Sequence, residues 1–118
     1  KFEINLIDSY DLWSSRCGHC MFLNTEKYRQ CGGENESFIA YGPEDAERYE
    51  RFHKIDYKVG RVGKLVYHFE HSRTPTSNNQ NIYFKYNTDL YNRLSVMKKN
   101  EIIEYYKNIY YLKKYEKF

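Results

Sequence analysis

Residues 41–54, YGPEDAERYERFHK, decide how this chain reads. Pro43 suits a first helical position, where its missing N–H costs nothing, and Glu44 and Asp45 suit the positive end of the helix dipole. The spacing predicts a helix from Pro43 to about Lys54, with Ala46, Tyr49 and His53 on its inner side and Glu47, Arg48, Glu50 and Arg51 in solvent. Upstream, Asn24 and Thr25 cap a short helix that Gly32-Gly33 stops, because glycine tolerates the left-handed conformation there; a loop follows from Glu34 to Gly42. Phe2, Ile4 and Leu6 alternate with polar neighbours as a short strand does, and Cys17 to Leu23 is a second strand candidate. Downstream, Tyr57–Val62 and Lys64–Phe69 read as two more strands around Gly60 and Gly63. His71 to Asn81 is a long polar loop, of the kind that often carries function. From about Tyr83 the sequence turns helical to its end. Asn100 and Glu101 read as a cap between two helices, the second bearing Ile102, Tyr105, Tyr106, Ile109 and Leu112 at helical spacing. The expected class is α/β (α+β): a small sheet with a central helix and a helical C-terminal tail.

The 118 residues allow one small domain. Hydrophobic side chains make up 41%, and 22 of them are aromatic, so nearly half of the apolar inventory is Phe, Tyr or Trp. Charged residues at 30%, two prolines and six glycines exclude collagen-like, linker-like and disordered chains. No apolar run approaches the ~20 residues that span a bilayer. The chain opens on Lys1 with no signal segment, which reads as an excised piece of a longer protein. A net charge of +3 is too small to argue for nucleic acid. The positive excess lies in the tail: residues 81–118 hold eight Lys or Arg against four Asp or Glu. Three cysteines favour free thiols in a reducing, cytoplasmic setting.

Three constellations could carry chemistry. Cys17-Gly18-His19-Cys20 matches the C-x-x-C of dithiol oxidoreductases, in which a helix N-terminus lowers the first thiol's pKa and the second thiol resolves mixed disulfides. The context opposes that reading, because only sixteen residues precede Cys17 and a strand-like run rather than a helix follows it. A zinc site built on Cys17, Cys20 and Cys31 lacks a fourth ligand. Second, Tyr41-Gly42-Pro43-Glu44-Asp45, preceded by Gly32-Gly33-Glu34-Asn35-Glu36, places two carboxylates and an aromatic side chain at one rim. The same residues also read as ordinary helix capping. Third, His68-Phe69-Glu70-His71-Ser72-Arg73 ends a strand candidate. Alternation puts His68 and His71 on opposite faces, so the two do not grip one ion there.

In order and spacing, residues 16–73 resemble the C-terminal region of a GT-A glycosyltransferase, as shared by the animal β-1,4-galactosyltransferases and bacterial relatives. The family's glycine-containing strand, Gly-Phe-x-Glu-like turn, W-G-x-E-D helix start and H-S-R strand end correspond to Gly18 in Cys17–Leu23, Gly32-Gly33-Glu34-Asn35-Glu36, Tyr41-Gly42-Pro43-Glu44-Asp45 and His71-Ser72-Arg73. The resemblance implies an inverting hexosyl- or N-acetylhexosaminyltransferase of polysaccharide biosynthesis, using a nucleotide-sugar donor, a saccharide acceptor and Mn2+ or Mg2+. It implies Asp45 as the general base, Glu44 as a hydrogen-bond partner of the acceptor, and Tyr41, Gly42 and Arg73 as substrate-binding. It further implies His71 as a metal ligand and Gly18 as the point where the donor sugar approaches the backbone. The family's tryptophan is Tyr41 here, and its second glycine is Pro43.

No D-x-D occurs in the chain. The expected layout is therefore an acceptor-side subdomain over residues 1–81 and a helical tail over 82–118. The resemblance implies that the nucleotide-binding half lies upstream, and the isolated piece is expected to be inactive. A small dithiol oxidoreductase and a non-catalytic carbohydrate-binding module are the competing classes. Tyr105, Tyr106, Tyr110, Tyr111 and Tyr115, interleaved with Lys107, Lys113, Lys114 and Lys117, suit either an anionic membrane surface or packing against the missing domain.

Overall fold

The computed structural model describes residues 20–61 and 72–109. Four helices follow one another: α1 (Thr25–Gln30), α2 (Glu44–Lys54), α3 (Phe84–Ser95) and α4 (Lys99–Lys107). None of the helices is long and apolar enough to cross a membrane among the described residues.

The described residues contain no strand, which overturns the expected α/β class with its small sheet. Residues 20–23 are irregular, and Phe22 is 93% exposed. Residues 57–61 are irregular as well. Alternation is only a side-chain pattern, whereas a strand also needs a neighbour to take its backbone hydrogen bonds. Tyr57 is engaged otherwise: its N–H donates to Phe52 O at 2.8 Å and its ring lies 5.6 Å from that of Phe52. The candidates Phe2–Leu6 and Lys64–Phe69, with residues 17–19 of Cys17–Leu23 and Val62 of Tyr57–Val62, lie outside the described residues.

Both early helices end as their backbones require. The Asn24 side chain accepts from Lys27 N–H at 3.0 Å and starts α1. At its end, Gly33 N–H returns to Tyr28 O and Gly32 N–H to Arg29 O, both at 2.9 Å, with φ of +57° and +92°. This is the paired bonding of a Schellman turn, and the glycines supply its left-handed backbone. α2 closes the same way without a glycine: Asp56 takes φ +61°, its N–H meets His53 O, and Tyr57 N–H meets Phe52 O. At its start, Pro43 is the cap rather than the first helical residue, its carbonyl accepting from Glu47 N–H at 2.9 Å.

The inner face of α2 differs from the expected one. Glu47, Arg51 and Phe52 are buried, while His53 is exposed and packs its ring edge-on against Tyr49. Periodicity assigns Glu47 and Arg51 to solvent because it sees their charge and not their partners. Arg51 Nε donates to Glu47 Oε1 at 3.0 Å, Nη2 to Gly33 O at 2.8 Å, and Nη1 to Cys31 O. The guanidinium also sits 4.0 Å from the centre of the Tyr106 ring. Tyr106 donates its hydroxyl to Glu47 Oε1 at 2.7 Å and accepts from Asn35 Nδ2 at 3.0 Å. Burial pushes the Tyr106 hydroxyl pKa well above its ordinary range, and the neighbouring Glu47 carboxylate adds to the rise, although Arg51 opposes it.

The described part of the tail, through residue 109, holds two helices, α3 and α4, and both pack on the rest of the described chain. Leu90, Leu94, Ile102 and Tyr106 form the buried cluster, with Phe38, Ile55, Met97, Tyr105 and Ile109 against it. Glu101 starts α4 by accepting from Lys98 N–H at 2.7 Å, so the cap is Lys98 and not Asn100. Lys54 Nζ donates to Ser95 O at 2.8 Å and Leu94 O at 3.3 Å, tying the end of α2 to the end of α3. Residues 110–118, with Tyr110, Tyr111 and Tyr115, lie outside the described residues.

Candidate functional site

The loop ahead of α2 is set by asparagines from the far end of the chain. Asn87, fully buried on α3, donates through Nδ2 to Ile39 O at 2.7 Å and Tyr41 O at 3.1 Å, and accepts from Ile39 N–H at 3.0 Å. Asn81 Nδ2 donates to the same Tyr41 carbonyl at 3.0 Å. Between these bonds Ala40 adopts φ +58°, a conformation that a non-glycine residue keeps only when its surroundings demand it. Gly42 lies directly on the Asn87 side chain: a Cβ there would stand 2.7 Å from Nδ2 and 2.8 Å from Cβ of Asn87. Close approach is why glycine is needed at 42.

This arrangement presents Tyr41 and the first turn of α2 at one rim. Tyr41 is 42% exposed, stacked on Phe84 at 6.1 Å between ring centres with 19° between planes. Its N–H donates to Thr76 O at 3.1 Å, which brings the 72–81 loop alongside. Arg73, in that loop, is exposed.

The carboxylates at the rim have different environments. Glu44 Oε2 is buried and has no hydrogen-bond partner among the described residues. Burial pushes the Glu44 carboxyl above its ordinary value and the adjacent Asp45 charge adds to this, against backbone hydrogen bonds at the helix start and the Arg48 charge. Asp45 Oδ1 is ion-paired to Arg48 Nη2, while Arg48 Nη1 reaches Glu34 Oε1. Tyr28 donates its hydroxyl to the same Glu34 oxygen at 2.6 Å. Burial alone would lower the Arg48 pKa, but the hydrogen bond and charge of Glu34, with the Asp45 charge, raise it. Burial and the Glu34 carboxylate push the Tyr28 hydroxyl up.

Of the residues expected at the site, Tyr41, Gly42, Glu44 and Asp45 come together, and Arg73 lies on the neighbouring loop. Gly18 and His71 lie outside the described residues. No three His, Cys, Asp or Glu side chains converge among the described residues. Glu34 and Asp45 are joined by the Arg48 guanidinium, whose positive charge disfavours a divalent ion between them. Cys20 is exposed, residues 20–24 are irregular, and α1 starts only at Thr25; Cys17 lies outside the described residues. Burial raises the pKa of the Cys31 thiol, which disfavours thiolate chemistry there.

Sequence reading missed Asn87, Asn81, Arg48 and Glu34 as site residues. The i,i+3 spacing of Asp45 and Arg48 was a signal for one contact. Nothing local marks Asn87, which lies 46 residues from Tyr41.

No curated protein and no solved structure matches this chain. A family model does, over residues 3–73, more than half of the chain, and its description is the N-terminal domain of galactosyltransferase. The match ends at the H-S-R motif and contains the whole of the loop-and-helix rim, where the sequence resemblance had pointed to the family's C-terminal region. With the matched residues spanning Tyr41, Gly42, Glu44 and Asp45, the chain belongs to the galactosyltransferase domain family.

Proposed function

We propose that the rim before α2 is the acceptor side of a GT-A, inverting glycosyltransferase that moves a hexose or N-acetylhexosamine from a nucleotide sugar to a saccharide acceptor. The observation that carries this reading is the juxtaposition of Tyr41, Glu44 and Asp45 in a chain of this family. Tyr41 offers an aromatic face on which a sugar ring stacks, with Phe84 behind it as support. Glu44 offers a buried carboxylate oxygen with no described partner, which an acceptor hydroxyl would satisfy.

Arg48 occupies Asp45 Oδ1 and so orients the carboxylate, leaving Oδ2 for the acceptor. In the transfer, the acceptor oxygen attacks the anomeric carbon in line, opposite the departing nucleoside diphosphate. A new C–O bond forms as the bond to phosphate breaks. Asp45 takes the hydroxyl proton as the general base. Gly18 and Arg73 extend the proposal to the donor and acceptor. His71 would hold Mn2+ or Mg2+, which would offset charge on the leaving diphosphate. The wider reading is a bacterial enzyme of polysaccharide synthesis, cytoplasmic and peripheral to the membrane, with its nucleotide-binding half elsewhere in the same protein.

The test is sugar-nucleotide consumption and product formation by the full-length protein with Mn2+. Asp45→Asn should lower kcat by about 10²- to 10⁴-fold, the usual contribution of a positioned base. Unchanged turnover in Asp45→Asn eliminates Asp45 as the base.

A further inference from the structure

The strongest unexplained feature is that a fully buried asparagine of α3 spends its whole amide on the backbone of a loop that precedes α2. We propose that Asn87 is a positioning residue for acceptor binding, acting through the 39–42 loop and not through contact with the sugar. This inference rests on the acceptor-side reading above.

Asn87 pairs with both polar groups of Ile39 and with the Tyr41 carbonyl, so its side chain stands in for a neighbouring strand. A backbone carbonyl can accept two bonds, and Tyr41 O receives both Asn87 and Asn81. The loop between them carries a left-handed alanine and packs Gly42 on Asn87, so its course has no slack. One residue further on, the chain enters the turn that holds Glu44 and Asp45. Moving the loop therefore moves the stacking face of Tyr41 and the carboxylates together. A misplacement of about 1 Å remote from the chemistry can cost ~10²-fold in rate.

Because Asn87 lies outside the matched residues 3–73, the alignment of the acceptor rim depends on a helix beyond the family match. The loop also meets the 72–81 segment through Tyr41 N–H and Thr76 O, so both sides of Tyr41 are held by residues that follow the match.

The experiment uses the full-length protein with Asn87→Asp, which keeps the shape and the Ile39 N–H bond. It removes both donors and sets a carboxylate oxygen against two carbonyls. Two reactions are followed per folded molecule: transfer to a saccharide acceptor, and hydrolysis of the sugar nucleotide by water, which uses Asp45 but no sugar stacked on Tyr41. The expected result is an acceptor KM raised about tenfold or more, beyond any loss in hydrolysis, which reads the displacement of Asp45 alone. A structural role alone would lower both reactions in proportion, or leave the acceptor KM unchanged, and either result overturns the proposal. Should Asn87→Asp fail to fold, Asn81→Ala, which removes one of the two bonds to Tyr41 O, decides on the same split. In that variant an acceptor KM equal to the parent's overturns it. Full turnover in Asp45→Asn would instead sink the assignment of the base, while a shifted acceptor KM in Asn87→Asp would still stand.

Discussion

Helix α2 carries two arginine–carboxylate sets one turn apart, and they have opposite characters. In the inner set the Arg51 and Glu47 side chains are 2% and 4% exposed, and all three guanidinium nitrogens of Arg51 donate within the protein. In the outer set Arg48 joins Asp45 and Glu34, whose side chains are 40% and 47% exposed. There, Glu44 Oε2 and Arg48 Nε are buried with no hydrogen-bond partner among the described residues. The inner set is saturated by its own chain and holds the Gly32-Gly33 turn, α2 and α4 together. The outer set leaves hydrogen-bonding capacity at a rim. The same residue types, one turn apart, thus close a buried network on one face and form a half-exposed ion-paired set on the other.

The comparison makes graded predictions. Arg51→Ala should lower the unfolding free energy by about 3–5 kcal/mol in a denaturant titration, because Glu47 would be left buried and unpaired. A loss below about 1 kcal/mol would mean that the inner set is not closed. Tyr106→Phe removes one hydroxyl that serves both Glu47 and Asn35, and should cost about 1–3 kcal/mol by the same measurement.

Glu44→Gln tests the rim through pH. The folded state raises the Glu44 pKa above its ordinary 4.5, so the native chain binds more proton than the unfolded chain between those two values. Native stability from this group is therefore present at low pH and lost as pH rises through the raised value. The stability of Glu44→Gln relative to the parent should grow over that window and then level off, read from unfolding midpoints across pH. A difference that stays flat would remove the burial of Glu44 as the cause. The smallest stability effect is expected for Asp45→Asn, about 0–1 kcal/mol as for other exposed pairs, in the variant whose turnover should fall most. Equal losses in stability and turnover would erase the distinction between the two sets.

Local backbone chemistry was the most legible part of the chain. Asn24 caps α1, Gly32-Gly33 closes it, and the acidic start of α2 lies where Pro43-Glu44-Asp45 announces it, one residue later than expected. These features depend on a few consecutive residues, and so does the spacing that separates α3 from α4. Strand candidates fared differently. The alternation in Tyr57–Val62 suggested a pairing, but Tyr57 N–H closes α2 and residues 57–61 are irregular. Left-handed Asp56 ends a helix where no glycine marks the end.

Tyr106 illustrates the remaining gap. Aromatic and lysine spacing in the tail suggested that its tyrosines face a missing domain or a membrane, yet Tyr106 is buried against Arg51 in this chain. Charge led to the same kind of error at Glu47 and Arg51: a side chain that looks solvated in sequence is buried when a distant residue satisfies it.

From the residue order alone came the capped helices, the loop with its tyrosine and paired carboxylates, and the family to which they belong, because each rests on neighbours in the chain. Folding supplied the roles within that frame. Asn87 and Asn81 reach Tyr41 across 46 and 40 residues, and Arg51 meets Tyr106 across a longer span still. A hydrogen bond is satisfied by whatever lies within about 3 Å in space, and distance along the chain carries no record of that.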